Sequence, residues 1–155
     1  MGVLTPAPVW RRVAAMIYDG LLILALLFMA GFLNLFIQLQ IFGSERLMAM
    51  TEQGYSLGGL FFYCSLLVMV YGFFGFFWTR SGQTLGMQAW RIKIVTPDNQ
   101  LITPWQSIIR FAVAIPALAL AGIGLLWALI DGQKRSWQDL ASSSRVILLA
   151  KPLKK

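Results

Sequence analysis

The sequence predicts an α-helical membrane protein with two full transmembrane helices, a third broken or re-entrant apolar helical segment, and a small cytoplasmic β-hairpin that a C-terminal strand can join. Three observations predict it. Of 155 residues, 58% are hydrophobic and only 12% are charged, a balance that neither an ordinary soluble domain nor a disordered chain carries. Three apolar stretches, residues 13–33, 57–78 and 111–130, each reach the ~20 residues that cover a hydrocarbon core. Between the second and third, WRIKIVTPDNQLIT (residues 90–103) alternates apolar and polar positions about a Thr-Pro-Asp-Asn turn. The chain therefore reads as one membrane domain.

The first helix starts near Val9 or Trp10, because Pro6 and Pro8 suit the segment leading into a helix and not its interior. Its apolar part exceeds the h-region of a secretory signal, so a retained membrane helix is expected. Gly31 and Asn34 weaken the run, while Leu35, Phe36, Leu39 and Phe42 keep a helical spacing; the helix continues past the bilayer or bends at Gly31. Residues 43–56 read as a polar loop. The second helix is uncharged and rich in phenylalanine, and Gly58, Gly59, Gly72 and Gly75 would admit a neighbouring helix. Cys64 is the single cysteine, which excludes an intramolecular disulfide and suggests a thiol used for packing. With no histidine, proton transfer would have to use Asp, Glu, Tyr or water, and histidine-bearing zinc or haem sites are excluded.

Residues 82–90 suit a turn lying in the membrane interface, and residues 145–149, RVILL, can supply the strand that the hairpin needs. The third apolar stretch follows Arg110 and is broken by Pro116, Gly122 and Gly124. Arg11 and Arg12 place the N-terminus in the cytoplasm, residues 43–56 outside, and Arg80, Arg91 and Lys93 back inside. A full third crossing would put Lys134, Arg135, Arg145, Lys151, Lys154 and Lys155 outside, against that rule, whereas a returning segment would not. The net charge of +7 lies beside the membrane segments, so anchoring against anionic lipid headgroups is expected and nucleic-acid binding is not.

Asp19 lies inside the first apolar run, where an ionisable group costs roughly 2.5 to 3.5 kcal/mol on insertion scales and needs a partner or a function. Arg12 shares its helical face at about 10 Å of rise, while Arg11 is rotated toward lipid headgroups, as Lys134 and Arg135 also are. A packed bundle could bring Asp19 toward Arg110, and Asp131 or Asp139 toward Arg12. Such a cluster of Arg12, Asp19, Arg110, Asp131 and Asp139 serves either as a fastening that fixes helix register or as a cation or proton path. No nucleophile with a base, phosphate loop or metal-ligand spacing appears, so neither enzymatic activity nor a cofactor is expected.

These motifs resemble the RDD family of membrane proteins, named for one arginine and two aspartates. The resemblance rests on Arg12 and Asp19 in RRVAAMIYDGLLI, the GQTLGMQAWRIKIV segment, Arg110, and LLWALIDGQKRSWQDLA with Asp131 and Asp139. It departs at Gln138, where members often carry His, and at residues 142–144, where a Gly-Thr pair is common. The resemblance implies an integral membrane protein of poorly defined role, and the inner membrane is its expected location. Some members look like monovalent cation/proton antiporters, which would make Asp19 the carboxylate exchanging Na⁺ and H⁺. Others look like accessory or scaffold components of larger complexes, which suits a chain with about three membrane segments. A membrane-protein partner or a homo-oligomer is implied by either.

Overall fold

Pro8 sets the start of the first helix: its carbonyl accepts the amides of Arg11 (3.1 Å) and Arg12 (3.4 Å), the first bonds of α1, Val9–Phe42. The structure is a computed structural model and describes residues 5–55, 58–120 and 122–150; Lys151, Lys154 and Lys155 lie outside the described residues. The 34 residues of α1 run unbroken through Gly31. At 1.5 Å per residue that is about 51 Å, longer than a hydrocarbon core of about 30 Å. Residues 43–56, expected as a loop, instead hold a short helix α2, Ser44–Glu52, with Glu45 in its first turn and Leu47 buried. A carboxylate near a helix N-terminus is favourable, and one buried leucine gives the helix an inner face. The second long helix, α3, is Gly59–Arg80. Both α1 and α3 are long and apolar enough to cross a membrane.

The chain divides into two compact units, one of Leu21–Val70 and the other of its two flanks. The first holds most of α1, α2 and the beginning of α3. There Cys64 is exposed on α3 and packs no core, contrary to the expected role. Gly72, expected to meet a neighbouring helix, lies in the second unit with nothing within 4 Å of the Cβ it lacks.

The second unit builds its core from short elements. After α3 come α4, Leu85–Ala89, and strand β1, Ile92–Val95. Then follow α5, Pro104–Ala119; α6, Ile123–Ile130; α7, Trp137–Ala141; and strand β2, Arg145–Leu148. The strands pair antiparallel, from Ile92 opposite Leu148 to Val95 opposite Arg145. Ala7, Ala15, Trp78, Met87, Ile92, Ile94, Ile102 and Val146 are buried together.

The C-terminal strand is thus the direct partner of β1, and residues 100–103 do not form the returning arm of a hairpin. The reason is that the other edge of β1 is already filled: Ile94 N–H donates to the Gly82 carbonyl (2.8 Å), and the Gln83 side-chain amide donates to the Ile92 carbonyl (2.8 Å). Thr103, freed from the sheet, caps α5 ahead of Pro104 at its first turn. The N-terminal segment covers the far edge of β2, where Ala7 N–H donates to Val146 O and Leu148 N–H to Thr5 O.

The third apolar stretch is broken. Pro116 remains inside α5, and the bend of 97° falls between Ala119 and Ile123, at the glycines of the expected Pro116 and Gly-Ile-Gly break and not at the proline, where Gly122 adopts φ 76°. Gly124 then lies against Ala117 and Trp137, so close that a Cβ could not be added without displacing the Ala117 backbone. From Trp137 the chain descends along α5: Asp139 reaches Arg110, and the Ser142 carbonyl accepts from Gln106 (3.0 Å). It ends beside the turn of α5 from which it set out, so within this unit the α5–α6 pair returns.

Candidate functional site

Arg12, Arg110 and Asp139 meet in the second unit, each at most 5% exposed. Arg12 comes from the first turns of α1, Arg110 from the middle of α5, and Asp139 from the short α7. The Arg12 guanidinium donates to Asp139 Oδ2 at 2.7 Å, and Arg110 to Asp139 Oδ1 at 2.6 Å. Ser136 N–H adds a third donor to Oδ2 (3.0 Å), as Asp139 reaches back to the residue that caps α7. Both carboxylate oxygens are therefore engaged.

Two buried cations on one anion leave a surplus positive charge, and the structure spreads it. Arg12 also donates to the carbonyls of Ala7 (3.1 Å) and Lys134 (2.7 Å). Arg110 donates to the Ser144 hydroxyl (2.7 Å) and lies over the Trp78 ring, 5.5 Å from its centroid. Burial pushes the Asp139 carboxyl up, but the Arg110 and Arg12 guanidiniums outweigh it and hold the group below its ordinary value. Asp139 is thus a fixed anion.

Asp19 sits apart, bonded to neither arginine. It is 3% exposed, and its oxygens accept from the Thr84 hydroxyl (2.5 Å) and the Gly86 amide (2.9 Å). Thr84 caps α4 and in turn accepts from Met87 N–H (3.2 Å), so one hydroxyl ties the carboxylate to the helix start. Among the described residues Asp19 has no ion-pair partner. The expected pairing with Arg12 fails because that guanidinium is committed to Asp139 and two carbonyls, and the pairing with Arg110 fails for the same kind of reason. A side chain on Gly86 would strike the Ala15 carbonyl and come within 2.9 Å of Asp19 Oδ1.

Asp131 belongs to neither group. It accepts from the Arg135 side chain (3.1 Å) and backbone amide (2.9 Å) in a local turn, and the hydrogen bonds from Arg135 hold its carboxyl below the ordinary value. Arg135 is therefore occupied in that pair. Lys134 donates to the Leu129 carbonyl (3.2 Å), and half-buried Arg11 to the Trp90 carbonyl (3.1 Å). Of the predicted set, the structure brings together Arg12, Arg110 and Asp139.

The RDD family model matches residues 6–143, which includes Arg12, Asp19, Arg110, Asp131 and Asp139. The chain belongs to the RDD family. No curated protein and no solved structure matches. In this RDD chain, reading the residues alone missed Thr84, Gly86, Ser144 and Trp78. Threonine followed by a short apolar turn is an N-cap signal, and Ser136 three residues before Asp139 resembles a capping box. Nothing local marks Ser144 or Trp78 as neighbours of Arg110.

Proposed function

We propose that this RDD chain is a non-enzymatic accessory or scaffold component of an inner-membrane complex, with its N-terminus cytoplasmic and its buried arginine–aspartate cluster acting as a fastening. The observation that carries this reading is the commitment of Asp139, whose two oxygens are taken by Arg12, Arg110 and Ser136 N–H. A carboxylate so held joins three elements but has little capacity left to bind and release a passing ion. The apolar surfaces of α1 and α3, barely covered by the chain itself, suit lipid and a membrane-protein partner or second copy. Purification of the full chain in mild detergent should return a stoichiometric membrane partner or a defined oligomer. A monodisperse, partnerless monomer would overturn the proposal.

Asp19 favours a second reading, monovalent cation/proton antiport. It is a buried carboxylate with no ion-pair partner among the described residues, and its two hydrogen bonds leave lone pairs open to a proton or Na⁺. In vesicles, Asp19→Asn should then abolish pH-dependent Na⁺ flux while the protein still inserts; unchanged flux would exclude that role.

A further inference from the structure

Arg11 differs from its neighbour Arg12 in what surrounds it. Its guanidinium is anchored by one hydrogen bond to the Trp90 carbonyl and lies 4.9 Å from the Trp10 ring centroid. Among the described residues no carboxylate pairs with it, so its charge is positioned but not neutralised. The surroundings are aromatic. Trp90 is held edge-on between Trp10 (5.5 Å) and Tyr18 (6.2 Å), and the outer two rings are 57% and 52% exposed. Val13 and Ile17 continue an exposed apolar surface down the same stretch of α1.

A cation fixed at the mouth of a membrane helix, flanked by tryptophan and tyrosine and followed by aliphatic residues, has the order of groups that a phospholipid has: phosphate, interface, acyl chain. Tryptophan and tyrosine prefer the headgroup level, and arginine's planar fork matches phosphate oxygens. We propose that Arg11, with Trp10, Tyr18 and Trp90, forms a defined site for one anionic phospholipid, the phosphate on the open edge of the guanidinium and a chain along Val13 and Ile17. The site rests on the membrane placement of α1 and not on the accessory role.

The positions of the other cations supply the control. Arg145 is also fixed by a carbonyl, that of Pro97 (2.7 Å), but among the described residues no cation–ring contact accompanies it. Native mass spectrometry of the full chain in detergent, with equal phosphatidylglycerol and phosphatidylcholine added, should show one phosphatidylglycerol retained. Arg11→Gln should lower that retention about tenfold, the effect of losing a charge-assisted hydrogen bond. Arg11→Lys should fall between, and Arg145→Gln should match the parent protein. If Arg11→Gln lowers the melting midpoint, Trp10→Ala, on an exposed ring, carries the same expected loss. Unchanged retention in Arg11→Gln and Trp10→Ala would overturn the site. So would an equal loss in Arg145→Gln, which would mean diffuse charge attraction, or displacement by inorganic phosphate, which would mean a headgroup site without a chain. Because the readout is bound lipid, it is separate from the partner found or not found in purification.

Discussion

At the scale of single residues, Asp139 and Asp131 are both carboxylates near the C-terminal end of the chain, yet replacing them should have very different effects. Asp139→Asn leaves Arg12 and Arg110 buried without their shared anion, and removing one partner of such a cluster costs about 3 to 5 kcal/mol. Asp131→Asn breaks only a local pair with partly exposed Arg135 and should shift the unfolding midpoint far less. Denaturation in detergent micelles compares the two directly. The cluster also has a defined pH dependence. Because the native Asp139 carboxyl lies below its ordinary value of about 3.9, its stabilisation is present in full above that value. It is lost as pH falls further, through the lowered native value. Unfolding midpoints followed into acid should show this loss in the parent protein, and Asp139→Asn should remove that contribution.

At the scale of elements, the contact between α1 and α4 depends on an atom that is absent. Gly86 lets the start of α4 approach the Ala15 carbonyl, and Asp19 and Thr84 bond across that approach. Gly86→Ala should force the two apart and cost about 1 to 3 kcal/mol, as overpacking does. Gly31→Ala, where nothing lies within 4 Å, should leave stability unchanged or slightly improved. The same comparison shows what was legible beforehand. The start of α1, the length of α3 and the use of residues 145–149 as a strand followed from composition and period, which are local properties. The partner of Asp19 did not, because Thr84 lies 65 residues away and becomes a neighbour only once α4 has docked. Likewise residues 100–103 have strand-like character, but the edge they would pair with is occupied by Gly82 and Gln83. The place of Arg12 in the chain marks it as a member of a buried charge cluster. Its choice of Asp139 over Asp19 depends on α7 lying against α5, which no spacing within α1 records.

At the scale of the whole molecule, the return of the chain along α5 makes a prediction about sidedness. Of the 13 lysines and arginines, only Arg46 falls within Leu21–Val70, between the middles of the two candidate spans. If α1 and α3 each cross once, the positive-inside rule puts residues 43–55 outside and the segment after Arg80 in the cytoplasm. The third apolar stretch then decides the side of everything beyond it. Since Ser142 lies beside Gln106 near the start of α5, the expected outcome is a stretch that enters and comes back, and Lys134, Arg135 and Arg145 would then obey the same rule. Single cysteines placed in a Cys64→Ser background read this out. Glu45→Cys, in α2, should be labelled by an impermeant maleimide from the outer face, while Asp98→Cys and Ala141→Cys, both at exposed positions, should be labelled only from the inner face. Labelling of Ala141→Cys from the same face as Glu45→Cys would mean a full third crossing. That crossing would separate Asp139 from Arg12 by the thickness of the bilayer, which a 2.7 Å ion pair does not allow.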